Sequence, residues 1–209
     1  MTLIFRDSYF RCLLGLLVLS LSPGALIAKA TQAPALLLAE TYQPSIKLSD
    51  YWVSEKYDGY RAYWNGTHLL SRQGNIFHAP AWFTQKFPAQ RLDGELWLGR
   101  QRFESLASIV TQTTPHKDWS KVRFMVFDLP DSDEVFDQRL ETLAKIIKTD
   151  TSPYLSLVAQ TKYSSHQQLF QQLDKLVAQG GEGLMLHHGQ SKYRAGRSTD
   201  LLKLKPLED

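Results

Sequence analysis

From Tyr51 onward, the chain consists mainly of short strand-like runs bounded by turn residues. The strongest local signal is Asn65-Gly66, which predicts a tight hairpin between strands at Tyr60–Trp64 and His68–Arg72. Further strands are predicted over Trp52–Tyr57, Leu92–Leu98, Val122–Leu129, Leu155–Thr161, Leu184–His187 and Leu201–Lys205. Helices are predicted over Pro80–Phe87, Phe103–Gln112, Phe136–Lys148 and His166–Gln179, the last one capped by Gly180-Gly181. Because hairpins are mixed with single helices, we expect an α+β fold rather than a doubly wound sheet.

Two of these segments carry more specific expectations. The run Val122–Leu129 is mainly apolar and of strand length, which predicts a buried strand. Residues 31–50 read as a lead-in with Pro34 and Pro44, and no strand is predicted there.

The composition supports one folded domain. The chain has 209 residues, of which 43% are hydrophobic and 11% aromatic, so it can bury a core and is not a disordered chain. Its single cysteine excludes a disulfide framework and a cysteine-rich metal site.

The first thirty residues have the pattern of a secretory signal peptide. Arg6 and Arg11 are followed by the apolar run Cys12–Val18, and Ala28-Lys29-Ala30 forms a small-x-small cleavage site. The alternative, a retained membrane anchor, is disfavoured because the uninterrupted apolar run is short. We therefore expect residues 1–30 to be a signal peptide and residues 31–209 to be one mature domain in an oxidising compartment, without cysteine. Cleavage would remove three of the 24 basic and one of the 21 acidic residues, leaving a net charge of +1, so bulk charge does not indicate nucleic-acid binding.

The first candidate for chemistry is Lys56, in the run Glu55-Lys56-Tyr57-Asp58-Gly59. A lysine at a strand end can act as a nucleophile when neighbouring cations or desolvation free its lone pair. The alternative is a solvated lysine beside an ordinary turn. Arg72 ends the predicted strand across the hairpin, so it can approach Lys56, and its guanidinium suits phosphate.

Two glutamates are candidates for binding a metal ion or a sugar hydroxyl. Glu95 lies between apolar neighbours in Leu92–Leu96, and Glu182 lies between glycines before the strand Leu184–His187. The alternatives are an edge-strand carboxylate for Glu95 and a helix cap followed by a loop for Glu182.

Three further residues fit a nucleotide. Phe127 could stack on a purine base, although periodicity alone favours a core position. Lys203 and Lys205 are two residues apart, so in a strand they face the same side, where phosphate would be a natural partner. The alternative is an edge strand protected by lysines.

Taken in order, these motifs resemble the covalent nucleotidyltransferases, which include ATP-dependent DNA ligases, RNA ligases and mRNA capping enzymes. With the signal-like N-terminus, they look particularly like the minimal periplasmic ATP-dependent DNA ligases of Gram-negative bacteria. The resemblance covers nearly all of residues 31–209. It implies a ligase adenylation fold, with antiparallel sheets flanked by helices and the active site between the sheets.

The resemblance also implies roles for particular residues. Lys56 would form lysyl-AMP with ATP and pass AMP to the 5′-phosphate of a nick, which the 3′-OH then seals. The implied nucleotide contacts are Glu55, Arg61, Arg72, Glu95, Phe127, Lys203 and Lys205. Glu182 and Glu95 would bind Mg²⁺ (or Mn²⁺), Arg72 and Arg197 would contact the nick phosphate, and the role of Asp58 stays open.

The expected partners are ATP and nicked double-stranded DNA. The protein is expected to be a periplasmic monomer without stable membrane association after signal cleavage.

One departure and three alternatives accompany this interpretation. The family normally continues past the lysine pair into a small OB domain, whereas this sequence stops four residues after Lys205, so we expect self-adenylylation to be slow and nick sealing by this chain alone to be poor. The alternatives are an RNA ligase or guanylyltransferase, a nucleotide- or DNA-binding remnant without turnover, and a structural or interaction protein.

Overall fold

The computed structural model describes residues 32–148 and 152–206, and within them the chain forms nine strands and four α-helices. The strands are β1 (Leu37–Thr41), β2 (Tyr51–Glu55), β3 (Tyr60–Trp64), β4 (Leu69–Ser71), β5 (Leu92–Trp97), β6 (Arg123–Asp128), β7 (Leu155–Leu157), β8 (Leu184–His188) and β9 (Gly196–Leu204). The helices are α1 (Ala81–Thr84), α2 (Phe103–Val110), α3 (Phe136–Ile146) and α4 (His166–Ala178), with 3₁₀ turns at Leu48–Asp50 and Lys117–Lys121. The predicted α+β class is confirmed.

One sheet has five strands in the order β4-β3-β5-β6-β7, antiparallel except for the parallel pair β6 and β7. The predicted hairpin joins β3 to β4: the Asn65 N–H donates to the His68 carbonyl, and Gly66 has the positive φ of 97° that favours glycine.

The second sheet has four strands in the order β1-β9-β8-β2. Strand β1 corrects the expectation that residues 31–50 contain no strand. It pairs in parallel with β9, with Leu37 opposite Gly196 and Thr41 opposite Lys203. Because the partner strand lies some 160 residues away along the chain, no local sequence pattern predicts this pairing.

Each sheet packs its outer face against helices. The five-stranded sheet packs Leu96 and Phe124 against residues of α1, α2 and α3. The four-stranded sheet is covered by α4, whose buried leucines pack on Val53, Leu184, Leu186, Leu202 and Leu204. Burying one such leucine contributes roughly 1.5–3 kcal/mol. The two helix-covered faces leave the opposite faces of the sheets to line the site.

Three predicted strands need correction. Strand β6 is the predicted buried strand, one residue shorter at each end: Phe124 and Val126 lie in the core, while Met125 and Phe127 are half-buried and point the other way. The last strand begins at Gly196 rather than Leu201 and ends before Lys205. Strand β7 is shorter than predicted, and Thr161 makes only an isolated bridge to Val53.

The predicted signal peptide, residues 1–30, lies outside the described residues. Across residues 32–148 and 152–206, no helix has the length and apolar character needed to cross a membrane.

Candidate active site

A cavity of about 310 Å³ lies between the two sheets. It is lined by β1, β2, β8 and β9 from one sheet and by β3, β5 and β6 from the other. Eight of the predicted site residues border it: Lys56, Glu55, Arg61, Arg72, Glu95, Phe127, Glu182 and Lys203, with Arg197 as a ninth at an exposed edge. Lys205 lies just beyond the end of β9 and contacts Glu182. The sequence motifs, dispersed along the chain, therefore converge on one site.

Lys56 follows β2 directly and is fixed at both its backbone and its side chain. Its N–H donates to the Gly183 carbonyl at 2.8 Å, and its Nζ donates to Glu182 Oε2 at 2.5 Å. The other carboxylate oxygen, Glu182 Oε1, lies 2.6 Å from Lys205 Nζ. Burial alone would raise the pKa of Glu182, but hydrogen bonds from Lys205 and Lys56 outweigh it and lower that pKa. Glu182 is therefore an ionised carboxylate shared by two lysines.

Glu95 lies on the cavity side of β5 among groups of both signs. Burial raises the pKa of its carboxyl to about 8, while Arg61 and Lys56 oppose the shift and Asp93 and Glu182 add to it. Burial disfavours the charged form of this carboxylate, and a bound cation would favour it.

The two glutamates fit a magnesium ion that takes only part of its ligands from protein. No cluster of three or more His, Cys, Asp or Glu that could hold a metal occurs in the described part of the chain. Mg²⁺ is commonly held by one or two carboxylates together with substrate phosphates and water, which agrees with two carboxylates in a cavity that also holds lysine and arginine side chains.

Arg61, which is partly exposed, forms an ion pair with the buried Asp93 on the five-stranded sheet. Arg61 Nε and Nη2 each lie 2.6 Å from an Asp93 oxygen, and the Tyr193 hydroxyl donates to Asp93 Oδ2 at 2.6 Å. Burial opposes the Arg61 charge, but Asp93 more than offsets it and raises the pKa of Arg61. The guanidinium also lies 4.7 Å from the centre of the Phe127 ring, a cation–π contact that fixes this ring at the cavity wall.

The predicted nucleotide contact Glu55 has a different partner. It borders the cavity, but Arg100 donates to both its carboxylate oxygens, at 2.8 and 2.9 Å. The prediction that Glu55 contacts the nucleotide stays a prediction, with its carboxylate already engaged.

The basic residues at the edge of the cavity are more exposed. Arg72 and Arg197 are both exposed, and Arg197 Nη1 donates to the Ala39 carbonyl of β1 at 2.5 Å. Lys203 is half-buried on β9 with its side chain on the cavity side, opposite Leu202 and Leu204 in the core. Asp58 lines the cavity and is exposed, so its role stays open.

The sequence reasoning did not select several other residues that line the site. Asp93, Gln160, Met185 and His187 all border the cavity. Asp93 could have been found, because it stands two residues from the selected Glu95 on β5 and strand alternation places both on the same face. Gln160 lies outside any strand, so no periodic signal marks it.

The chain matches known ligases across the described region. The family described as "ATP dependent DNA ligase domain" matches residues 36–205. A DNA ligase of Haemophilus influenzae is 35% identical over 172 residues, which cover 81% of this chain and 63% of that protein. The chain thus spans less than two thirds of this curated relative.

Solved structures agree with the fold. A structure from a structure-function study of Lig E DNA ligases, concerned with DNA binding by a minimal scaffold, has a TM-score of 0.77 and 45% identity. The match covers 82% of this chain and 68% of that one. A Chlorella virus DNA ligase-adenylate has a TM-score of 0.69 at 23% identity, covering 82% of this chain and 69% of that one. At such identity the likeness shows the fold alone.

The ligase adenylation fold predicted from the motifs is confirmed by these structures and by a site between the two sheets. The matched segment, residues 36–205, contains every predicted site residue from Glu55 to Lys205. The chain belongs to the ATP-dependent DNA ligase domain family.

Proposed function

We propose that this chain is the catalytic part of an ATP-dependent DNA ligase in which Lys56 becomes covalently adenylylated. The observation that carries the proposal is the position of the Lys56 amine, in a cavity between the sheets, 2.5 Å from Glu182 and on the same cavity as Lys203 and Phe127. A lysine held in a fixed geometry beside basic groups is suited to attack a phosphate.

In the first step, neutral Lys56 Nζ attacks the α-phosphorus of ATP. The Nζ–P bond forms, the bond from the α-phosphorus to the bridging oxygen breaks, and pyrophosphate leaves with that oxygen. One proton leaves the Lys56 ammonium for solvent before the attack, and a second leaves the nitrogen for solvent as the Nζ–P bond forms. Lys205 and Lys56 each contact one oxygen of Glu182, so the negative charge that faces Lys56 is shared between two ammonium groups.

The remaining residues hold the nucleotide. One face of the Phe127 ring is covered by Arg61, and the opposite face offers a stacking surface for adenine. Lys203 and Arg72 supply positive charge for the phosphates. When bound, Mg²⁺ would be held by Glu95 and Glu182 and would neutralise phosphate charge.

We propose nicked double-stranded DNA as the acceptor of AMP. Arg72 and Arg197 are exposed at the cavity edge, where a 5′-phosphate can reach them without entering the adenine pocket. The 3′-OH would then displace AMP and join the strands.

The experiment is the intact mass of the protein before and after incubation with ATP and Mg²⁺. We expect an AMP adduct in the wild type and none in Lys56→Ala, with Lys86→Ala as the control because Lys86 is an exposed lysine outside the cavity. An adduct that persists in Lys56→Ala would assign the nucleophile to another residue. No adduct in either protein would refute the proposed first step.

The acceptor is tested separately with pre-adenylylated strands. Sealing of a nicked DNA duplex, with little joining of a matched nicked RNA, supports a DNA ligase. The reverse preference would favour the RNA ligase alternative, and labelling by GTP rather than ATP would favour a guanylyltransferase.

We further propose that residues 1–30 direct export to the periplasm and are then removed, leaving a monomer without a membrane anchor. This proposal is supported by the N-terminal pattern of Arg6 and Arg11, the apolar run Cys12–Val18 and the cleavage motif Ala28-Lys29-Ala30. Protein from the periplasmic fraction of an expressing Gram-negative cell should begin after Ala30, and size-exclusion with light scattering should give one chain. An uncleaved, membrane-bound product would contradict the proposal.

A further inference from the structure

The turn between β5 and α2, residues 98–102, touches the segments that carry Lys56 and Glu182. Arg100 on this turn binds Glu55 through two hydrogen bonds, of 2.8 and 2.9 Å. Its third nitrogen, Nη1, donates to the Gln179 side-chain oxygen at 3.0 Å and lies 3.5 Å from the Gln179 carbonyl. The Arg100 guanidinium therefore links the end of β2 to the end of α4, two segments on the side of the four-stranded sheet.

These two anchor points flank the reactive groups. Glu55 is the last residue of β2 and precedes Lys56 directly. Gln179 is the C-terminal cap of α4 and stands three residues before Glu182. The Lys56 N–H is also bonded to the Gly183 carbonyl. A shift of the segment at Glu55 or at Gln179 would therefore change the distance and angle between Lys56 Nζ and the Glu182 carboxylate.

Close packing makes the turn a rigid support. Gln101 has a φ of 58°, which is uncommon outside glycine, and its side chain lies against Gly180. A Cβ at Gly180 would stand only 3.0 Å from the Gln101 amide, so no larger residue fits there without displacing it. Trp97, at the end of β5, packs edge-on against Tyr57 with ring centres 4.9 Å apart, adding an apolar contact next to Lys56.

We propose that Arg100 is a positioning residue that sets the Lys56 amine against Glu182, acting through Glu55 and Gln179 rather than by touching nucleotide. The cavity lining includes Glu55 but not Arg100 within the described residues, which separates Arg100 from the nucleotide contacts. An arginine is suited to this task because its planar fork binds one carboxylate through two nitrogens and leaves a third for Gln179, which lysine cannot do. The kinetic part of this inference rests on the proposed function.

The kinetic experiment is single-turnover formation of lysyl-AMP over a series of ATP concentrations, without DNA. Arg100→Gln is expected to lower the maximal rate about tenfold to a hundredfold, because small misplacements of a reacting group cost that much. The ATP concentration that gives half the maximal rate should change less than about threefold, because a residue that does not contact ATP should not alter how tightly ATP binds. Arg100→Lys should recover part of the rate and Gln179→Ala should lose part of it.

The matched control is Arg102→Gln, on the same turn and with the same loss of charge. Arg102 is exposed and lies outside the cavity lining, so its rate should equal that of the wild type. A wild-type rate in Arg100→Gln overturns the proposal, as does a loss of equal size in Arg102→Gln. A loss confined to ATP affinity also overturns it, because that is the signature of a nucleotide contact.

A second measurement does not depend on ligase activity. Hydrogen exchange of the Lys56 N–H reports the junction with Gly183, and the Val158 N–H, bonded to the Val126 carbonyl at 2.8 Å, serves as a reference in the other sheet. Arg100→Gln should speed exchange at Lys56 by at least about threefold and leave Val158 unchanged. Unchanged exchange at Lys56 refutes the positioning role, and equal acceleration at both sites assigns the defect to global stability.

The two measurements separate the two hypotheses. If the wild-type protein forms no AMP adduct but Arg100→Gln speeds hydrogen exchange at the Lys56 N–H and not at the Val158 N–H, the proposed function is refuted and the positioning role is supported. A wild type with an adduct, combined with a normal rate in Arg100→Gln, supports the function and refutes the positioning role.

Discussion

Replacement of Arg139 by methionine should be among the most destabilising single changes in this protein. Arg139 lies on α3 with no exposed side-chain surface, and its partner Asp128 is 2% exposed. The guanidinium donates to both Asp128 oxygens, at 2.6 and 3.1 Å, and to the carbonyls of Glu134 and Ser191, at 2.8 and 2.9 Å. The network joins β6, α3 and the segment after β8.

The size of the effect follows from what the methionine leaves behind. Asp128 stays in the interior and loses its arginine partner, and breaking a buried pair in this way costs about 3–5 kcal/mol. The Glu134 and Ser191 carbonyls also lose their arginine donor, so we expect the loss of stability to lie toward the upper end of that range. For a domain of this size, that corresponds to a fall in melting temperature of roughly 6–20 °C.

The assay is urea unfolding of wild type, Arg139→Met and a control, Arg91→Met. Arg91 pairs with Asp131 at 3.1 Å, but both side chains are about half exposed, so the same substitution should cost only about 0–1 kcal/mol. Adding Asp128→Asn to Arg139→Met removes the uncompensated charge and should recover at least about 1 kcal/mol. A loss in Arg139→Met no larger than that of Arg91→Met would refute the reasoning.

Three further predictions concern the core, the pH dependence and the base pocket. Gly94→Ala should lower the free energy of unfolding by about 1–3 kcal/mol, because its Cβ would lie 2.5 Å from the Met125 carbonyl oxygen; wild-type stability in urea would contradict this. Burial, aided by neighbouring cations, lowers the pKa of His187 well below 6.5, so the unfolded chain binds the extra proton and stability should fall as pH drops below about 6.5. His187→Gln should flatten that decline by up to about 1.4 kcal/mol per pH unit, and an unchanged slope would show that other groups cause it. Phe127→Leu should raise the half-saturating ATP concentration for adenylylation about fivefold to a hundredfold by removing the stacking surface, whereas unchanged ATP dependence would place adenine elsewhere.

Much of the site was readable from the sequence because strand alternation and turn chemistry are local. The hairpin at Asn65-Gly66 and the bounds of β3 were predicted correctly, since a turn with φ > 0 and flanking strands needs only neighbouring residues. Lys56 and Glu182 were found for the same reason, as polar residues at strand ends. Their motifs also carried the resemblance that the family match bears out.

Other features depended on which segments meet. The pairing of β1 with β9, the burial of Arg139 and the binding of Glu55 by Arg100 each join residues far apart in the chain. An arginine on a helix or a glutamate beside a lysine looks the same in sequence whether it is solvated or held by a partner. From the sequence alone, most of the strands and helices, the candidate site residues and the family could be predicted. Only the tertiary structure decided which of those charges are buried together, because burial and pairing are properties of the packed sheets and not of either segment alone.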